Sequence, residues 1–216
     1  MATHYRPNVA GVLLNAKKQI FVAQRADFPE SWQFPQGGVD KNETNQAAFI
    51  REMQEEIGLQ AKDYQIISQH GPYRYDFPPH IIEKFKTKAK ENTSRNPLKI
   101  SKPVVLDEID SDEKTVEAQC RNSYSRTAKV LNPVNFAKSD NFKEVSIGQE
   151  QTYYLCSVNE LATFDLEAGL ALGEHIEFLD YRWIEPQNFQ LAWLPEFKQA
   201  TYQQVFKDIF NISLKH

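Results

Sequence analysis

Apolar residues cluster in two short runs near the start of the chain, residues 8–15 and 20–24, separated by the polar break Ala16-Lys17-Lys18-Gln19. Two such runs joined by a short polar link predict a β-hairpin. Residues 32–34, Trp-Gln-Phe, predict a short strand that delivers the chain to Pro35 and a glycine loop. Residues 64–68 and 73–77 predict two more strands with a turn at Gly71-Pro72, and residues 151–158 and 178–184 supply the rest of a sheet. The period changes to helical twice. Ala47, Ile50, Met53 or Gln54, and Ile57 recur at helical spacing and predict the face of one amphipathic helix pressed on the sheet. Thr44 or Asn45 can cap its start, and Gly58 can end it in the left-handed conformation. Near the end, Tyr202, Val205, Phe206 and Ile209 form a second helical stripe that closes another layer.

Two stretches fit this economy less well. After Pro78-Pro79, the apolar run from Ile81-Ile82 to Phe85 fits neither period alone. Residues 86–142 are polar and charged, with the runs KTKAKEN and DEIDSDE and only short apolar patches such as Val104-Val105-Leu106. Compact domains rarely hold loops longer than about 12–15 residues unless these are functional or disordered. Residues 86–142 therefore read as an insertion within one domain of residues 1–216: a partly disordered segment, a lid, or an arm for a protein partner.

The first helix carries the candidate chemistry. Glu52, Glu55 and Glu56 stand at i, i+3 and i+4, and like charges so spaced cost an isolated helix roughly 0.2–0.5 kcal/mol per pair. A hard divalent cation rewards holding them together, because Mg²⁺ and Mn²⁺ take oxygen ligands. Arg51, on the same helix, can fix the orientation of a carboxylate.

Composition narrows the partners. A hydrophobic content of 41% and a charged content of 25% suit a soluble globular protein, and no apolar run approaches a membrane span. The amino-terminal residues lack the layout of a secretory signal, and Cys120 and Cys156 have no metal-ligand spacing. Both features lead us to expect a cytoplasmic protein with free thiols. A net charge of −4 argues against coating long nucleic acid through many phosphate contacts, yet leaves room for gripping one end.

Gly37, five residues, Glu43, seven residues, and then Arg51-Glu52-Met53-Gln54-Glu55-Glu56-Ile57-Gly58-Leu59 resemble the Nudix box at every defined position. The resemblance implies an α/β fold, a Nudix-type α/β/α sandwich with a mixed sheet, that hydrolyses a nucleoside diphosphate linked to another moiety. It implies Mg²⁺ or Mn²⁺ held by Glu52, Glu55 and Glu56, a backbone carbonyl at Gly37 or Gly38 in the metal shell, and orienting roles for Glu43 and Arg51. More narrowly, Tyr5-Arg6-Pro7-Asn8-Val9, the run Trp32-Gln33-Phe34-Pro35-Gln36-Gly37-Gly38, Tyr73-Arg74-Tyr75, Ile147-Gly148-Gln149-Glu150-Gln151, Glu177-Phe178, Tyr181-Arg182-Trp183 and Phe197-Lys198 resemble bacterial RNA pyrophosphohydrolases and related diadenosine polyphosphate hydrolases. That likeness implies Glu177 as a further metal ligand or catalytic base, and Arg6, Arg25, Gln36, Phe197 and Lys198 as substrate-binding residues.

Some of these roles make physical sense without the likeness. A guanidinium such as Arg6 can fork onto a phosphate. Phe197 falls off the apolar stripe of its helix, where an aromatic can stack on a nucleobase, and Lys198 beside it can meet a phosphate. Glu56, Glu52 and Glu177 are all candidates for the base. His175, close to Glu177, reads as incidental. The expected partner is the 5′-triphosphate end of RNA, whose trimming serves bacterial messenger decay. A diadenosine tetra- or pentaphosphate is the nearest alternative, and a catalytically silent binding domain is the rival from another class.

Overall fold

The computed structural model describes residues 3–94 and 145–215. Within the first strand, β1 (Thr3–Leu14), alternate residues turn to opposite sides, as strand geometry demands. Val9 and Leu13 join one apolar cluster, and Ala10, Val12 and Leu14 join another. The strand is therefore buried on both faces. It pairs in parallel with β6 (Val145–Val158), antiparallel with β2 (Ile20–Arg25) at Leu14 and Ile20, and antiparallel with the short β4 (Gln36–Gly38). With β3 (Trp32–Gln33), β5 (Tyr64–Asp76) and β7 (Phe178–Ile184), the mixed sheet runs β3-β2-β1-β6-β5, with β4 on β1 and β7 on β2.

Helix α1 (Asn45–Ile57) covers one face and α3 (Glu196–Phe210) the other, giving the expected α/β/α layers. Phe34 stacks on Tyr202 of α3 at 5.2 Å between centroids, while Phe49 of α1 stacks on Tyr154 at 4.6 Å. A further helix, α2 (Pro79–Ser94), follows β5. Among the described residues, no helix is long and apolar enough to cross a membrane.

Several expectations need correction. The expected hairpin forms, but β2 pairs along its length with β7 instead of β1. Residues 64–76 are one strand, not two: both halves pair with β6, and a register shift between His70 and Tyr73 absorbs Gly71-Pro72 as a bulge. The glycine pair at 37–38 is not a loop but lies in β4. The run ending at Phe85 is helical, and α2 continues through residues 86–94, the expected beginning of the insertion. The remainder of that segment, with Cys120, lies outside the described residues. Cys156 is buried, and burial pushes its thiol up to about 12, so it is an unreactive core residue.

The buried stripe of α1 is also rotated. Ala48, Phe49, Met53, Glu56 and Ile57 are buried, whereas Ala47 and Gln54 are exposed. Thr44 caps the start by accepting from the Ala47 amide, and Gly58 ends the helix at φ 74°. The rotation follows from packing: Phe49 seeks Tyr154, and the Met53 sulfur fills the space left above Gly11. Its consequence is chemical, because the same rotation draws Glu56 inward.

Candidate active site

The carboxylates of α1 face the end of β1 and the β4 glycines across a polar cavity of about 530 Å³. Glu52, Glu55, Glu56 and Glu177 all line it, together with Arg6, Arg25, Gln36, Gly37, Gly38 and Arg51. Both glycines allow a close approach. A Cβ on Gly37 would overlap the Glu52 carboxylate, and one on Gly38 would overlap the Arg6 guanidinium.

Arg51 ties the acidic helix to the strand before it. Its Nε and Nη2 donate to Glu43 at 3.0 and 2.9 Å, its Nη1 to Glu52 at 2.7 Å and Glu55 at 2.9 Å, and its Nη2 also to the Gly38 carbonyl at 2.8 Å. Glu43 and Arg51, the expected orienting pair, are thus hydrogen-bonded to each other. The Glu43 hydrogen bond is the largest cause raising the Arg51 pKa, and in return Arg51 holds the Glu43 carboxyl below its ordinary value.

Glu56 is held differently. Only 8% exposed, it accepts from the Gln36 amide at 2.8 Å. Burial pushes its carboxyl well above the ordinary value, and the neighbouring charges of Glu52 and Glu177 push the same way. For Glu52, burial outweighs the Arg51 hydrogen bond and its pKa also rises. Behind them, the buried Gln151 donates to both Asn8 and Gln36 at 2.7 Å and accepts from Tyr153, fixing the Gln36 side chain.

A second cavity of about 470 Å³ adjoins the first, sharing Arg25, Gln36 and Gln149 with it. Its walls are largely apolar: Tyr75 and Phe77 from β5 and just beyond it, Phe85 from α2, Trp193 and Leu194 just before α3, and Phe197 within α3. Phe197 stands 5.6 Å from the Tyr75 ring and 6.3 Å from Phe77. Lys198 lies here too, buried, with its Nζ 3.5 Å from Gln33 Oε1 and 5.8 Å from the Tyr75 centroid. The sequence-predicted residues thus divide: Arg6 lies with the carboxylates, Phe197 and Lys198 lie in the apolar cavity, and Arg25 and Gln36 face both.

Sequence reasoning assigned no role to Gln149, although it stands in the Ile147-Gly148-Gln149-Glu150-Gln151 run, nor to Asn8, Asp40 and Glu174, which line the polar cavity. His175, read as incidental, lines it as well. Tyr75 and Phe77 share a strand spacing, but Phe85 comes from α2, and no local spacing signals that it joins them.

Among the described residues, no three His, Cys, Asp or Glu side chains are already gathered into a metal site. The donor set nonetheless fits a hard divalent ion. Four carboxylates line one cavity, and two of them carry pKa values raised by burial first and by neighbouring carboxylates next, which a cation would relieve.

The chain is similar to several known proteins. The curated RNA pyrophosphohydrolase of Nitratiruptor sp. is 46% identical over 85 residues, covering 37% of this chain and 54% of that protein. Nudix hydrolase 26, chloroplastic, of Arabidopsis thaliana is 43% identical over 84 residues, covering 39% of this chain and 38% of the relative. The chain thus spans about half the length or less of these relatives. The solved E. coli dihydroneopterin triphosphate pyrophosphohydrolase aligns over 95% of this chain and 96% of its own at 13% identity, with a TM-score of 0.49. The family model described as the NUDIX domain matches residues 4–120, more than half of the sequence, and the chain belongs to that family.

Proposed function

We propose that this chain hydrolyses phosphoanhydride bonds with a divalent metal, Mg²⁺ or Mn²⁺, acting on the 5′-triphosphate end of RNA, releasing phosphate or pyrophosphate and leaving a 5′-monophosphate. The observation that carries this reading is the junction of two unlike cavities, one acidic and polar and one aromatic, across Arg25, Gln36 and Gln149. A polyphosphate attached to a nucleoside has that same division of chemistry. The RNA pyrophosphohydrolase names among the relatives support the choice of substrate.

Glu52, Glu55, Glu56 and Glu177, with the carbonyl of Gly37 or Gly38, would hold the metal. When bound, the metal would neutralise phosphate oxygens and make an attacking water more acidic. The chain's own residues do the rest. Arg6 and Arg25 bind the phosphate chain, and Arg51 keeps Glu52 and Glu55 from turning away. One of Glu52, Glu56 and Glu177 takes the proton leaving the water. Phe197 stacks the first base while Lys198 meets its phosphate.

The same aromatic cavity favours one second reading, a diadenosine tetra- or pentaphosphate, because an adenine can stack on an aromatic wall whatever group the far end of the phosphate chain carries. Side-by-side turnover of a short 5′-triphosphorylated RNA and diadenosine tetraphosphate separates the two. Faster turnover of the RNA would support a role in bacterial messenger decay in the cytoplasm, and the reverse would assign the chain to dinucleotides. Neither substrate turned over, with nucleotide binding intact, would leave a silent binding domain. A protein partner for residues 86–142 concerns a segment largely outside the described residues.

A further inference from the structure

Arg25 lines both cavities, whereas Asp27, two residues on, lines neither. The Asp27 carboxylate grips the guanidinium along one edge: Arg25 Nε donates to Oδ1 at 2.6 Å and Nη2 to Oδ2 at 2.7 Å. A guanidinium has five N–H donors in a fixed fork, so this grip leaves both donors of Nη1 and the second of Nη2 unused by Asp27. The Nη2 atom is also 3.9 Å from Glu177 Oε2, on the polar cavity wall. Nη2 thus reaches the polar cavity, on a side chain that lines both cavities.

The backbone supports the same orientation. In the pairing of β2 with β7, Gln24 opposes Asp180 while Arg25 opposes Phe178, leaving Leu179 without an opposite residue. Such a bulge redirects the side chains next to it. The loop carrying Asp27 is then tied down by the Arg25 amide on the Ser31 carbonyl, the Ala26 amide on the Glu177 carbonyl, and the Gln24 side chain on the Pro29 carbonyl. Side-chain exposures of 24% for Arg25 and 54% for Asp27 make this a surface ion pair, a class that adds little stability. Its effect lies in orientation.

We propose that Asp27 is a positioning residue: it fixes the Arg25 guanidinium by its Nε edge and presents the other edge to the substrate's phosphate chain. The proposal rests on the phosphoanhydride reading above. Without Asp27 the arginine is free to turn, and binding a phosphate must then also order the side chain. A carboxylate that merely competed with phosphate for the guanidinium would have the opposite effect on substrate affinity.

The test compares Asp27→Ala, Asp27→Glu, Arg25→Ala and the Asp27→Ala/Arg25→Ala double variant. Steady-state kinetics on 5′-triphosphorylated RNA with Mg²⁺ are read beside calorimetric titration with inorganic tripolyphosphate. Asp27→Ala is expected to raise KM and weaken tripolyphosphate binding by about tenfold each, as loss of a charged hydrogen bond does, with a much smaller change in kcat. Asp27→Glu should recover most of the loss, and Asp27→Ala should add nothing in the Arg25→Ala background. Unchanged or lowered KM, or additive effects in the double variant, would overturn the proposal. Should the wild type bind tripolyphosphate but cleave no phosphoanhydride, the functional reading fails while the titrations still decide the role of Asp27. Wild type that does not bind tripolyphosphate overturns both.

Discussion

The Glu52 carboxylate lies directly against the α-carbon of Gly37, in the space that any other residue's β-carbon would take. The acidic helix and the strand before it therefore meet through a missing side chain, and Arg51 closes the same joint from above by bonding Glu52 and the Gly38 carbonyl. Gly37→Ala is expected to displace Glu52 without unfolding the sheet. A catalytic group moved by about 1 Å loses on the order of a hundredfold in rate. Turnover measured beside circular dichroism would show that loss with an unchanged spectrum.

Arg51 donates five hydrogen bonds to three carboxylates and one carbonyl. Lysine keeps the charge but cannot make the planar fork. Arg51→Lys should therefore cost about 1–2 kcal/mol of stability in chemical denaturation, the worth of one charged hydrogen bond discounted for partial exposure. Glu55→Gln, which removes charge but keeps an acceptor for one of the five, should cost much less.

Glu56 carries a carboxyl whose folded pKa is raised well above its ordinary value of 4.5, by burial first and by Glu52 next. Between those two values the folded state binds the proton more tightly than the unfolded chain does. The contribution of Glu56 to stability is thus most favourable below about pH 4.5 and is lost as pH rises through the folded pKa. In metal-free buffer, Glu56→Gln should melt above the wild type at pH 8, with the gap shrinking towards pH 4.5. Thermal melts at a series of pH values check this, and a variant that melts lower at pH 8 would contradict it.

Lys198 has its pKa brought down to about 8, by burial first and then by the charge of Arg25, against the opposing pull of Glu56 and Asp27. If its ammonium meets a phosphate, KM for a polyphosphate substrate should rise as pH climbs through about 8. Lys198→Arg should flatten that rise, since a guanidinium does not titrate there. For stability the sign is reversed: the unfolded lysine holds its proton up to about 10.5, so stability increases between about pH 8 and 10.5. KM measured from pH 7 to about pH 9 in both proteins reads the first effect, and thermal melts over the same range read the second.

The acidic helix was legible because its information is local: carboxylates at i, i+3 and i+4, a capping Thr44 and a terminating Gly58 all lie in one short stretch. The rotation that buries Glu56 was not legible, because it depends on Tyr154, far along the chain. Gly71-Pro72 misled for a related reason. The same dipeptide suits a turn or a bulge, and only the partner strand β6 decides between them. The aromatic cavity was half visible. Phe197 stood out by falling off its helical stripe, while Tyr75, Phe77 and Phe85 are brought to it by sheet pairing and by α2. Arg25 and Asp27 are near neighbours in sequence, yet only side-chain geometry shows which edge of the guanidinium is taken.

The decisive measurement is the release of phosphate or pyrophosphate from a short 5′-triphosphorylated RNA, with Mg²⁺ and with a chelator, using wild type and Glu56→Gln. A metal held by these carboxylates requires Mg²⁺-dependent release that leaves a 5′-monophosphate end and falls by at least about a hundredfold in the variant. Release that survives chelation, or a variant as active as the wild type, would contradict it.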